Sequence, residues 1–332
     1  MKKVLIIGGA GYCGSLLVPQ LLNEGWEVAV YDTMWYGTSQ FPKSAKLHLL
    51  EGDVRDLASV QRACDGYDSV LHLACISNDA SFELNEDLST SVNLNSFEPI
   101  VIAAKQAGVR RFVFASSSSV YGISDSPDVT EDHPLVPLTL YNKYKGMCEP
   151  LLFKHTSAEF IGVVFRPATV CGYSPRQRLD LSVNILTNHA VNKNKILVFG
   201  GDQLRPNLHI QDYADLCKLL LTAPDEKVAN QVFNCGFDNM SINSIARAVK
   251  KIVEEIFPEK GEIPIEVTES NDPRSYHINS DKIKRILGFQ PKYSVEDAVR
   301  DLCVAFQGGK LPNSFDDDGY YNVRTMKALG VK

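Results

Sequence analysis

The chain has 332 residues, 44% of them hydrophobic and 22% charged, with a net charge of -6. That length supports one large domain or two interlocked ones around a sizeable core. The acidic balance excludes a general nucleic-acid binder, which needs a basic face, but not an anionic small substrate, because a few arginines bind a diphosphate on an acidic protein.

Residues 4–7 form a short apolar run that ends in glycines, the signature of a buried strand. The lysines before it superficially resemble the start of a signal peptide, but the apolar stretch is too short for one. Residues 15–23 carry apolar side chains at helical spacing, and 28–31 read as the next strand. Residues 69–73, 111–115 and 161–165 are further buried-strand candidates, with helices at 94–106 and 141–155 between them. Such alternation implies a parallel sheet covered on both faces, with functional loops at the carboxyl ends of its strands.

The second half is broken by Pro167, Pro175 and Pro206. There, 232–235 reads as one more strand of the first sheet, and 242–256, 282–287 and 295–306 as helices. Asp316, Asp317, Asp318 and the tail beyond them are polar and expected at the surface. No flexible linker separates the halves, so interleaved domains are expected. A dinucleotide-binding domain would cover 1–172 with 207–237 returning to it, and a substrate domain 173–206 and 238–332. The fold class expected is therefore α/β, a Rossmann doubly wound parallel sheet with a smaller α/β substrate-binding domain. Eight cysteines, at 13, 64, 75, 148, 171, 217, 235 and 303, form no C-x-x-C pair and lie mostly in apolar runs. They read as reduced buried thiols of a reducing, cytoplasmic compartment, with no metal site. No run approaches the ~20 apolar residues of a membrane span.

Gly8-Gly9-Ala10-Gly11-Tyr12-Cys13-Gly14 follows the first strand and opens the first helix. Gly9, Gly11 and Gly14 fit G-x-G-x-x-G, and Gly8, Gly11 and Gly14 fit G-x-x-G-x-x-G. Missing side chains let the backbone approach a pyrophosphate at a helix N-terminus. Asp32 ends the second strand, where a carboxylate accepts hydrogen bonds from ribose hydroxyls and repels a 2'-phosphate. The residues that follow it, Thr33-Met34-Trp35-Tyr36, supply no arginine for that phosphate. NAD is expected over NADP.

Tyr141 and Lys145 form a Tyr-x-x-x-Lys pair on one face of a predicted helix. An ammonium beside a phenol lowers the tyrosine pKa, and the phenolate can then take a proton from a hydroxyl. The strand at 111–115 runs into Ser116-Ser117-Ser118-Ser119-Val120-Tyr121-Gly122. Together with the glycine loop, Gly52-Asp53-Val54 and His72-Leu73-Ala74, these motifs resemble the extended short-chain dehydrogenase/reductases. More narrowly, they resemble the NAD-dependent nucleotide-sugar epimerase/dehydratase family.

The resemblance implies roles. Ser117 matches the serine that hydrogen-bonds the reacting hydroxyl, Tyr141 the acid/base, and Lys145 the lysine that also holds the nicotinamide ribose. Asp53 and Val54 match adenine contacts, and Leu73, Ala74 and Asn93 match the cofactor groove, with Tyr12 and Cys13 in the phosphate loop. Ser118 and Ser119 are open between substrate contact and structure. Family 4,6-dehydratases carry Thr-Asp-Glu where this chain has Ser117, Ser118 and Ser119, so dehydration is not expected. Arg205 and Arg274 match arginines that clamp a substrate diphosphate, Asn184 an asparagine on the same phosphates, and Phe199 the strand beside the base. Thr169 replaces an asparagine of the 4-epimerases, and Ser77 stands where galactose epimerases carry lysine.

The run from Arg166 to Asn184 resembles a branch that includes GDP-heptose 4-dehydrogenases of bacterial surface-polysaccharide pathways. Within it, Arg176, Arg178 and Asp180 read either as part of the sugar or phosphate site or as a structural loop network. The function implied is NAD-dependent oxidation at C4 of a nucleotide-diphosphate sugar by a homodimeric epimerase or 4-dehydrogenase, with 4-keto reduction as an alternative. A non-catalytic dinucleotide sensor is the alternative from another class, and it would not need Ser117, Tyr141 and Lys145.

Overall fold

A computed structural model describes residues 2–269 and 275–331. Its largest sheet has seven strands in the order β10-β6-β5-β4-β1-β2-β3. These are β1 Lys3–Ile7, β2 Glu27–Asp32, β3 Leu47–Glu51, β4 Ser69–His72, β5 Arg111–Ala115, β6 Ile161–Pro167 and β10 Gln231–Cys235. All neighbours pair in parallel. The order is the Rossmann 3-2-1-4-5-6 with one strand added, and its direction of winding reverses between β1 and β4.

Strand periodicity divides the core between the two faces of this sheet. Val4 and Ile6 pack with Leu17 and Leu21 of helix Tyr12–Asn23 and with Leu216 and Leu220 of helix Ile210–Thr222. Leu5 and Ile7 pack with Val60 of helix Leu57–Cys64, Ile100 of helix Phe97–Gln106 and Leu152 of helix Leu140–Phe153.

Three further strands, β7 Thr169–Cys171, β9 Leu204–His209 and β11 Asp238–Ser241, form a second sheet in the order β11-β9-β7. A parallel pair, β8 Ile196–Phe199 and β12 Ile265–Thr268, forms a third. Around them a separate core gathers Val183 and Leu186 of helix Ser182–Lys193, Ile245 and Val249 of helix Ile242–Ile256, and Val299 of helix Val295–Gln307. The last of these helices starts on a capping box between Ser294 and Asp297.

Two sequence expectations differ from the structure. The helix expected at 94–106 begins regularly only at Phe97, after a π-helical turn over Ser91–Asn95. Such wide turns re-aim a side chain, and here the turn carries Asn93. The polar tail expected at the surface instead folds back as helix Asn322–Ala328, with Asn322, Thr325 and Met326 buried. Met326 packs on Ile76 and Leu88, contacts that no local pattern announces. Among the described residues no helix is long and apolar enough to cross a membrane, and all eight cysteines are unpaired.

Candidate active site

A cleft of about 740 Å³ opens at the carboxyl ends of the first sheet's strands. Its floor starts where Ile7 O accepts from Leu73 N at 2.8 Å and Ala74 N at 2.9 Å, which ties the glycine loop to the loop after β4. Gly8 has φ +83°, and a Cβ there would lie 2.3 Å from Ala74 N. A Cβ on Gly14 would lie 2.1 Å from Gly9 O, so this glycine lets helix and loop touch. At Gly11 a Cβ would meet only Gly8 O, at 3.5 Å. Gly11 is also the N-cap of helix Tyr12–Asn23, which carries no side-chain cap. A helix end in that state suits an anion.

Asp32 lines the same groove and accepts from Ala10 N and Met34 N, both at 3.0 Å. Burial raises its pKa, and these two N–H groups oppose the rise. Asp53 and Val54 line the cleft beyond it. Arg55 forks onto the Asp53 carboxylate and holds it below the usual range. Cys13, Leu73 and Ala74 line the groove as well, and burial pushes the Cys13 thiol up to about 12.

Ser117, Ser118, Tyr141 and Lys145 line the same cleft. The helix bearing Tyr141 and Lys145 starts at its N-cap Thr139, whose hydroxyl donates to Asp79 Oδ1 at 2.6 Å. Lys145 is buried and donates to Ala115 O at 2.7 Å. Ser119 donates to Asn142 Oδ1, so in the 2.7 Å Ser117–Ser119 pair Ser117 is the donor. The expectation of a lowered phenol pKa is not met in the free protein. Burial raises Tyr141 well above its ordinary value, with Cys75 and Asp79 adding to the rise and Arg178 opposing it.

Thr169, Arg178, Phe199 and Arg205 line the cleft as well. Arg178 grips Asp180 through Nε at 2.8 Å and Nη2 at 3.1 Å. Burial works against its charge, yet the Asp180 carboxylate outweighs burial and holds the guanidinium above its ordinary range. Arg205 donates to Leu204 O at 2.9 Å and stacks on Tyr276. Phe199 is 60% exposed. Arg274 lies outside the described residues.

Three of the expected residues have their polar groups engaged by the protein itself. Asn93 spends its carboxamide on the backbone of Ile76, accepting from N at 2.8 Å and donating to O at 2.9 Å. It braces the loop after β4 from behind and is not among the residues lining the cleft. Fully buried Asn184 accepts from Gly172 N at 3.0 Å and donates to Arg178 O at 2.8 Å, which fixes the loop that presents Arg178. Tyr12 lines the cleft, but its hydroxyl donates to Gly172 O at 2.6 Å.

Sequence reasoning missed Tyr36, Asn322, Met326 and Tyr276 as lining residues. It also found no arginine near Asp32. The fold brings one from far along the chain: Arg176 lies 3.4 Å over the Tyr36 ring, and its charge reaches Asp32. The Arg-Gln-Arg run is visible in the sequence, but nothing in it announces which arginine reaches Asp32. Asn322 carries no signal at all.

The profile of a family described as "NAD dependent epimerase/dehydratase family" matches residues 4–236. A UDP-glucose 4-epimerase of Lactobacillus helveticus is 28% identical over 340 residues, covering 95% of this chain and 99% of that one. The low-salt glycan biosynthesis protein Agl12 of Haloferax volcanii is 26% identical over 314 residues, covering 92% and 98%. Among solved structures, MoeE5 in complex with UDP-glucuronic acid and NAD superposes with a TM-score of 0.79 at 26% identity, covering 92% and 99%.

Proposed function

The chain belongs to the NAD dependent epimerase/dehydratase family, and from that premise we propose that it oxidises the C4 hydroxyl of a nucleotide-diphosphate sugar, as an epimerase or a 4-dehydrogenase. The observation that carries this reading is that Ser117, Tyr141 and Lys145 line the cleft that also holds the glycine loop and Asp32. Relatives named for UDP-glucose epimerisation, and a neighbour binding UDP-glucuronic acid and NAD, support it.

The residues fit the cofactor. The uncapped helix end behind Gly11 suits a pyrophosphate, and the Asp32 carboxylate suits ribose hydroxyls. Asp53 and Val54 would border the adenine, and Lys145 the nicotinamide ribose. When bound, NAD supplies an acceptor for the two electrons leaving the sugar carbon. Ser117 would hold the reacting oxygen, and Tyr141 would take its proton. Oxidation requires the phenolate, which the Lys145 ammonium on the next helical turn would stabilise. Arg178, Thr169, Arg205 and Arg274 would hold the sugar and its diphosphate. The domain division follows: the seven-stranded sheet serves the dinucleotide and the smaller sheets the nucleotide sugar.

A second reading, 4-keto sugar reduction, uses the same three residues in the opposite direction, with the protonated Tyr141 phenol donating to a keto oxygen. A homodimer in a reducing, cytoplasmic setting completes the proposal. Exposed Ile102 and Met147 on the adjacent helices Phe97–Gln106 and Leu140–Phe153 support the dimer, and eight unpaired cysteines the setting.

The test follows a panel of nucleotide sugars by NMR with wild type and Tyr141→Phe. Wild type should convert at least one of them. The variant should bind NAD and lose at least about 100-fold in turnover, the usual worth of general acid–base help. Near wild-type turnover by Tyr141→Phe would remove the assignment, and free sugars turned over as fast as nucleotide sugars would remove the substrate class.

A further inference from the structure

Ser77 follows Ile76 in the loop after β4 and lines the cleft. Its oxygen receives two hydrogen bonds from groups that can only donate there. Arg178 Nη1 donates at 3.2 Å and Asn322 Nδ2 at 2.9 Å. Arginine has no acceptor, and a carboxamide nitrogen has none either. Both lone pairs of the hydroxyl are therefore occupied, and among the described residues no protein acceptor takes its proton.

The orientation of Asn322 is forced by its other partners. Its Oδ1 accepts from Arg176 Nη2 at 2.7 Å and from the Tyr36 hydroxyl at 3.1 Å. Because a guanidinium only donates, the carbonyl must face Arg176 and the amide must face Ser77. The side chain has no freedom to turn round. Its backbone N–H donates to Asp180 Oδ2 at 3.1 Å, and Met326 of the same helix packs on Ile76. Asn93 clamps the Ile76 backbone from the other side. A polar node on the C-terminal helix thus sets the direction of one hydroxyl in the cleft.

We propose that Ser77 donates its hydroxyl proton to an acceptor oxygen of the bound sugar, and that Asn322 is the positioning residue that turns this proton into the cleft. The inference rests on the nucleotide-sugar reading above. It makes the loop after β4 selective for a substrate oxygen at that point and unfavourable for an N–H or an apolar group, because the Ser77 oxygen has no lone pair left to accept.

The test is calorimetry on NAD-loaded protein with UDP-glucose, UDP-glucuronic acid and GDP-mannose, and with UDP and GDP as sugar-free controls. With the nucleotide sugar that wild type binds most tightly, Ser77→Ala should weaken affinity by about 2- to 12-fold, the worth of one hydrogen bond. Asn322→Asp keeps an acceptor for Arg176 but offers Ser77 a carboxylate, which draws the hydroxyl proton away from the cleft. It should weaken the same ligand by a similar factor, and the double variant should be no weaker than the weaker single one. Affinity for the sugar-free nucleotide should stay at the wild-type value in all three. Wild-type affinity for the sugar ligand in Ser77→Ala or in Asn322→Asp, multiplying losses in the double variant, or equal losses with the sugar-free nucleotide would each overturn the inference. Wild type that binds none of the three nucleotide sugars would instead overturn the reading on which it rests.

Discussion

Glu149 and Arg166 form an ion pair almost sealed from solvent, with side chains 5% and 6% exposed. Arg166 donates to Glu149 through Nε at 2.9 Å and Nη2 at 2.5 Å, and Ser116 donates to the same carboxylate at 2.6 Å. The pair ties the helix of Tyr141 and Lys145 to β6 and to the residue beside Ser117. Replacing Glu149 with Leu leaves a buried guanidinium whose remaining contacts are Tyr121 Oη at 2.6 Å and Glu131 O at 3.2 Å. An uncompensated buried charge costs about 3–5 kcal/mol, so Glu149→Leu should lose that much stability. Arg166→Met should lose a similar amount, because it strands the carboxylate. The double variant removes both charges and fills the space with apolar groups, so it should recover most of the loss. Urea unfolding followed by circular dichroism measures all three. A single-variant loss below about 1 kcal/mol, or a double-variant loss equal to the sum, would refute the argument that desolvation dominates this pair.

Two further outcomes are expected. Asp32 should make NAD bind at least about tenfold more tightly than NADP, since its carboxylate meets a 2'-phosphate, and Asp32→Asn should narrow that ratio because Arg176 remains close. Equal binding of the two cofactors to stripped wild-type protein would contradict this. His72 is buried against Phe97, and burial, with the nearby Lys145 charge, depresses its pKa from 6.5 to about 3. The folded pKa lies below the unfolded one, so its contribution is complete above pH 6.5 and is lost as pH falls toward 3. The slope is about 1.4 kcal/mol per pH unit over that window. His72→Phe should flatten the acid limb of the stability profile, and an unchanged limb would show that other groups set it.

What the sequence determined by itself is the part of the protein built from contiguous segments. β1, the glycine loop and Asp32 lie within one βαβ unit, and Tyr141 and Lys145 within one helix, so local periodicity and spacing place them. Six strands of the first sheet were legible for the same reason, since buried parallel strands are largely apolar runs such as 112–115 and 161–165, whereas the edge strand β3, half-exposed along its length, gave no such run. Tertiary structure alone decided which polar side chains face the cleft. Asn93 and Asn184 were expected at ligands from the resemblance, yet Asn93 spends its carboxamide on the Ile76 backbone and Asn184 on the backbone of Gly172 and Arg178 and the Tyr12 hydroxyl, as set by where the π turn and the 172–178 loop come to rest. Local pattern assigned the tail to solvent, because a short helix with a polar surround has no strong periodicity. It nevertheless delivers Asn322 to Ser77, Arg176 and Asp180 across separations that no window spans. The Tyr141 pKa is likewise a property of the assembled cleft: spacing supplies the lysine, and burial in the fold sets the direction of the shift.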